Sequence, residues 1–280
     1  MTAEADLLEM RSQRLRDIAS DLPICHASVR AAFEEGQFSI AYQPILRSSD
    51  LWPVACEALL RWNHPQRGEQ SPSEFIPILE RARVALEIGD WLLHEAGTQL
   101  LHWQSMVGKN LRLCVNVAPL QILSPDFPGR VERCLDRCGL KPENLTLELT
   151  QAALMDRPEA VVGSLTRLRQ LGLSLELDDF GEGPSALAKL HSLGLSGFKL
   201  DRRYLDGLSS SGAQQEIRTL TQLARQLGLQ TTAERVETDT ERASLIELGL
   251  DRMQGFLFSP ALSAEAFDHY LAARDKLRST

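Results

Sequence analysis

The sequence predicts an α/β fold, a closed (β/α)8 barrel in which one strand near the start runs against the others. Three observations carry this. After residue 37, about eight short apolar or alternating runs recur along the chain. Amphipathic segments of helical period separate most of them. Nearly every run carries a polar residue near its C-terminal end, the pattern of a barrel whose strand ends converge on one mouth. An open doubly wound sheet is the alternative, but no GxGxxG follows the first run. At 280 residues the chain suits a single barrel of roughly 250, although about 150 residues per domain would allow two.

Taken in order, residues 1–22 read as a helix, with Leu8, Leu15, Ile18 and Leu22 on one stripe and Pro23 ending it. It is expected to be a connector or dimerising arm (residues 1–29), with packing against the main domain as the alternative. The main domain is expected to run over 30–275, with 276–280 as a tail. FSIAYQPIL (38–46) and VACEALLRW (54–62) are joined by only RSSDLW. A loop that short joins antiparallel neighbours, because a parallel crossover needs a dozen or more residues. The later runs are LRLCVNVA (111–118), LTLELT (145–150), LSLELDD (173–179), GFKLD (197–201), LQTTAE (229–234) and DRMQGFLF (251–258). Between them, Val161, Val162, Leu165, Leu168 and Leu171 share one helical face, as do Ile217, Leu220, Ala224 and Leu227. Gly follows the last helical turn in RQLGL, RQLGLQ and IELGL.

Composition excludes several function classes. A formal charge of −8 argues against a nucleic-acid polymer as partner, which needs a basic surface. No apolar run approaches the roughly 18 residues of a membrane span, and the acidic N-terminus is unlike a signal peptide, so a cytoplasmic protein without a membrane partner is expected. Five cysteines (Cys25, Cys56, Cys114, Cys134, Cys138) without CxxC suit reduced thiols. Cys134 and Cys138 lie one helical turn apart, where core filling is the simpler reading, and the histidines lack ligand spacing, so zinc is not expected.

The chemistry lies in the polar residues of the strands. Alternation puts Ala55, Glu57, Leu59 and Arg61 on one face of the second run. Asn116, Glu148, Asp178, Asp179, Lys199, Glu234 and Gln254 stand late in the runs that follow. Any one of them reads as a surface residue. Together, five carboxylates in one mouth would repel one another unless cations neutralised them. Oxygen donors without His or Cys point to Mg²⁺ or Mn²⁺. Adjacent Asp178 and Asp179 can reach one site only where the strand bends, and a bridging carboxylate there would suit two metals about 3.5 to 4 Å apart.

With YQPI (42–45), EALLRW (57–62), SPSEFIP (71–77), VNVAP (115–119), LELT (147–150), DDFGEG (178–183), KLD (199–201), AERVET (233–238) and MQGFLFSP (253–260), the chain resembles the EAL domain family of cyclic di-GMP phosphodiesterases over about residues 30 to 275. The resemblance implies a TIM-like (β/α)8 barrel with one antiparallel strand. It implies Glu57, Asn116, Glu148 and Asp178 as ligands of one metal, and Asp178 with Asp179 as ligands of the second. Glu234 would be a ligand or base, and Lys199 would position the attacking water and stabilise developing charge. Gln43 and Arg61 would hold the dinucleotide, with Glu237 and Gln254 as further site residues around the second metal and its waters. The implied reaction is in-line attack of metal-activated water on one phosphodiester, opening cyclic di-GMP to linear pGpG. Implied partners are cyclic di-GMP, a second copy pairing through the barrel, and a sensor or regulatory protein.

The pattern is broken in one cluster. Gln151 stands where the family has Glu; Glu182, Pro184 and Ala186 replace Thr, an aromatic and Ser; and Arg235 replaces Gly. The metal ligands are kept and their surroundings altered, so a phosphodiesterase of low or conditional activity is expected. The alternative is a catalytically weak or inactive domain acting as a cyclic di-GMP receptor or protein-interaction regulator. Six of the acids (Glu57, Glu148, Asp178, Asp179, Glu234, Glu237) would belong to one mouth, leaving the rest of the chain nearly neutral.

Overall fold

A computed structural model describes residues 24–108, 110–151, 154, 158–181, 183 and 186–278. The expected helix over 1–22, and positions Glu182 and Pro184, lie outside the described residues. The described residues form two compact units, one from those up to Ser39 with Leu60–Ile88 and a larger one from Ile40–Leu59 with those from Gly89 onward.

The strands are β1 (Phe38–Arg47), β2 (Pro53–His64), β3 (Gly68–Gln70), β4 (Arg112–Val117), β5 (Leu145–Thr150), β6 (Ser174–Phe180), β7 (Gly197–Leu200), β8 (Gln230–Ala233) and β9 (Arg252–Met253). They are ordered β1-β9-β8-β7-β6-β5-β4-β2-β3, and a further β1–β2 pairing closes eight of them into the barrel. From β2 through β4 to β9 the barrel neighbours are parallel, whereas β1 runs antiparallel to β9. This is the reversed strand expected from the short RSSDLW connection, which closes with Arg47 N–H donating to the Trp52 carbonyl at 2.9 Å.

In the larger unit the strands carry fully buried Leu113, Leu145, Leu147, Leu149, Leu175 and Phe198, and the helices lay their apolar faces on them. The helix Pro158–Leu171 buries Val161, Leu165 and Leu168, but Val162 is 46% exposed and off the expected face. The helix Ser211–Leu227 buries Ile217, Leu220 and Ala224 and stops at Gly228, whose φ of 69° closes the last turn without Cβ strain. Tyr42, Trp103 and Phe267 stack with centroids 4.4 to 6.3 Å apart, fixing the C-terminal helix Ala264–Arg278.

DRMQGFLF yields only two strand residues. Gly255 explains the early exit, since the backbone clasps Val236 there: Val236 N–H donates to the Gln254 carbonyl at 3.0 Å and Leu257 N–H to the Val236 carbonyl at 3.0 Å. In the smaller unit, the end of β2 pairs antiparallel with β3, a strand too short to read from sequence. Phe38, Trp62 and Phe75 pack there with centroids 5.7 to 5.9 Å apart. Among the described residues, no helix is long and apolar enough to cross a membrane.

Candidate active site

At the C-terminal ends of the parallel strands the larger unit gathers a charged cluster around Lys199 on β7. Its ammonium lies 2.8 Å from Glu148 Oε2, 2.9 Å from Glu234 Oε1 and 3.0 Å from Glu57 Oε2. All three donors of the ammonium are thereby used. The Lys199, Glu148 and Glu57 side chains are buried, so these bonds act in a medium that screens them weakly. Glu57 also accepts from Asn116 Nδ2 at 2.7 Å and from Gln254 Nε2 at 2.8 Å. Gln254 donates further to Gln43 Oε1 at 2.9 Å, and Gln43 to the Ser259 carbonyl at 3.0 Å.

Beside this floor, Asp178, Asp179 and Glu234 bring carboxylate oxygens within 4.8 Å of one another. The local backbone makes that convergence. The register between β6 and β7 shifts between Leu177 and Phe180, and Asp179 has φ 51°, a left-handed conformation that Asp tolerates better than most residues. The bend expected at the end of the strand is therefore a bulge inside it. Asp179 N–H donates to Asp178 Oδ1 at 2.9 Å, holding the Asp178 carboxylate in place. Asn116 and Asp179 are exposed, so the mouth opens to solvent above a buried floor.

The electrostatics are unbalanced, with five carboxylates facing one ammonium. Burial pushes the Glu148 carboxyl well above the usual range, and the charges of Glu57 and Asp178 add to it. Burial likewise raises Asp178, and pushes Glu234 up to about 7. Burial opposes ionisation of Glu57 too, but Lys199 and the hydrogen bonds from Gln254 and Asn116 hold it below the usual carboxylate range. Burial would strip the Lys199 proton, yet Glu148, Glu234 and Glu57 hold it well above its ordinary value. Glu148 Oε1 is buried without a hydrogen-bond partner. A hard cation meets both conditions, excess negative charge and an unsatisfied buried oxygen, so the donor set fits a divalent metal.

The other expected residues are placed as follows. Glu237 is exposed, lies 3.7 Å from Arg202 and makes no bond to the Lys199 cluster. Arg61 belongs to the smaller unit, where its Nε lies 3.3 Å from Glu69. Arg235 is exposed with φ 54°, and its carbonyl accepts from Arg202. Sequence reasoning passed over one buried pair in the barrel, Arg252 Nη2 to Glu176 Oε2 at 2.7 Å. The signal was present, because alternation in LSLELDD puts Glu176 on the face of Asp178, and a buried acid demands a partner.

Comparison with known proteins agrees with this geometry. The profile of the EAL domain matches residues 26–261. The chain is 34% identical over 238 residues to the bifunctional diguanylate cyclase/cyclic di-GMP phosphodiesterase MucR of Pseudomonas aeruginosa, covering 85% of this chain and 35% of that protein. It is 35% identical over 246 residues to the cyclic di-GMP phosphodiesterase NbdA of the same organism, covering 88% of this chain and 31% of that protein. The chain thus spans about a third of the length of these curated relatives. A solved structure, the PaMucR phosphodiesterase in complex with c-di-GMP, superposes with a TM-score of 0.80 at 33% identity, covering 86% of this chain and 98% of that one. The EAL enzyme Bd1971, bound to cAMP and cyclic di-GMP, gives 0.81 at 28% identity, covering 95% and 74%. With its barrel topology, its ring of strand-end carboxylates and a profile match across most of its length, the chain belongs to the EAL domain family.

Proposed function

We propose that this chain hydrolyses cyclic di-GMP to linear pGpG in the carboxylate mouth of its larger unit. The observation that supports this most is the Lys199 ammonium held by three carboxylates beside the convergent Asp178, Asp179 and Glu234. Glu57, Asn116, Glu148 and Asp178 would hold one divalent cation, Mg²⁺ or Mn²⁺, and Asp178 with Asp179 the second. Bound there, the cations supply concentrated positive charge that polarises a phosphodiester and makes water more acidic.

The chain's own side chains do the rest. Glu234, beside Asp178 and Asp179, accepts the proton of the attacking water at a carboxylate oxygen. Asp179, exposed and carried on the bulge, orients that water. Lys199 lends charge to the phosphoryl oxygens as negative charge builds on them, and it touches water or phosphate only by exchanging one of its three carboxylate bonds. Gln43 and Gln254, already bonded to each other, hold the dinucleotide. Arg61 and Glu237 keep their substrate-side assignments on sequence grounds.

The test is to incubate the purified chain with cyclic di-GMP and Mg²⁺ or Mn²⁺ and follow pGpG by chromatography. Product should accumulate, and Glu57→Ala should lower the rate by about 100-fold or more. No product over hours would overturn the proposal, and binding without turnover would make the chain a receptor for the dinucleotide. Hydrolysis unaffected by Glu57→Ala would overturn the metal assignment.

A further inference from the structure

The opposite end of the barrel, where the parallel strands begin, holds a cavity of about 520 Å³ in the larger unit. Arg47, Arg112, Arg225 and Arg252 line it, from the end of β1, the start of β4, the helix Ser211–Leu227 and the start of β9. Asp251 is the one acid on the wall, and its Oδ2 is already taken by Thr231, accepting from the backbone N–H at 2.9 Å and from Oγ1 at 2.8 Å. Among the described residues no carboxylate pairs with Arg112 or Arg225, while Arg47 meets Asp50 at 3.5 Å on the exposed rim.

Three polar atoms on this wall are buried and lack a hydrogen-bond partner: Nε of Arg112, Nε of Arg252 and Oγ of Ser48. Arg252 is only 5% exposed and Ser48 7%. Two of the four guanidinium groups, those of Arg112 and Arg225, thus stand on this wall without a carboxylate partner among the described residues, so positive charge exceeds the acids that face it. An anion with several oxygens offsets that excess, since guanidinium binds phosphate oxygens in charge-assisted pairs. The cavity volume falls within the roughly 300 to 1,000 Å³ typical of small-molecule sites.

We propose that this cavity is a second binding site, for a small phosphorylated metabolite about the size of a nucleotide, held by Arg47, Arg112, Arg225 and Arg252. It is separate from the metal-fitting mouth and of opposite charge. The site touches the barrel interior through Arg252. Its guanidinium pairs with Glu176, and along the chain Arg252 and Glu176 stand two residues before Gln254 and Asp178 respectively. An occupant that draws on Arg252 thus acts on β6, which carries Asp178, and on β9, which leads directly into Gln254.

The test uses the full chain in chelator and inorganic pyrophosphate as probe, read by isothermal titration calorimetry. Saturable one-site binding with Kd below about 1 mM is expected, because several phosphate–guanidinium contacts exceed the −4.1 kcal/mol this represents. Arg47 and Arg225 are exposed, so Arg47→Glu with Arg225→Glu leaves the fold intact, which circular dichroism checks. That double variant should weaken binding at least about tenfold, while Glu57→Ala, at the other end of the barrel, should leave it unchanged. Absence of saturable binding to the unaltered chain, equal binding to the double variant, or loss of binding in Glu57→Ala would each overturn the proposal.

Discussion

At the scale of single residues, Lys199 is the hinge of the candidate active site. Its charge is what permits the buried carboxylates of Glu57 and Glu148 and the half-buried one of Glu234 to approach within hydrogen-bond distance of one point. Lys199→Met removes that counter-charge from Glu57, Glu148 and Glu234, and should cost about 3 to 5 kcal/mol in urea unfolding at about pH 8, above the Glu234 value, with chelator present. A loss below about 1 kcal/mol would mean that the acids neutralise themselves by protonation instead. Arg235 is the opposite case, a residue at odds with its backbone. Its φ of 54° suits glycine, and a left-handed conformation costs other residues roughly 1 to 2 kcal/mol. Arg235→Gly should therefore raise stability by about 1 kcal/mol in denaturant unfolding. Unchanged or lower stability would mean that the Arg235 side chain makes a compensating contact. The sequence marked Arg235 as a departure, but only the backbone angle says what the departure does.

At the scale of elements, the decisive features are interruptions in otherwise regular strands. The bulge in β6 turns two adjacent aspartates toward one site, against the period of two that would separate them. The exit from β9 at Gly255 comes from close approach, because a Cβ there would lie 2.2 Å from both N and O of Val236. Gly255→Ala should destabilise the chain by about 1 to 3 kcal/mol, measured by thermal or urea unfolding, since a methyl group cannot be fitted without moving backbone. The same shift would displace Gln254, which donates to Glu57 and Gln43, so the rate of the proposed hydrolysis should fall as well. Wild-type stability in this variant would show that the Val236 clasp yields easily. Alternation and turn residues made the strands legible, whereas a bulge and a backbone clasp leave no periodic trace.

At the scale of the whole molecule, the larger unit is electrically polarised along the barrel, with carboxylates at one end and arginines at the other. The acidic end gives a pH dependence whose sign can be worked out. The folded-state pKa of Glu234, about 7, lies above the ordinary 4.5, and burial shifts Glu148 and Asp178 the same way. A raised carboxyl binds its proton more tightly in the folded chain, so its stabilisation is complete below the ordinary value and is lost as pH climbs through the folded value. In chelator, Tm should fall between about pH 5 and pH 8, and added Mn²⁺ should remove the fall by supplying the missing positive charge. A flat or rising Tm over that interval would contradict the proposed protonation of the metal-free mouth. The sequence by itself determined the barrel, its reversed first strand and the polar residues near its strand ends, because those strand ends and the short first connection are local patterns that one chain displays. Only the tertiary structure decided which of those residues meet. It joined Glu57, Asn116, Glu148, Lys199, Glu234 and Gln254 in one bonded cluster, left Glu237 with Arg202 on an exposed loop, paired Arg252 with Glu176 and gathered four arginines at the far end. These are distances between groups far apart in the chain, fixed by strand register and barrel closure, and no local pattern encodes them.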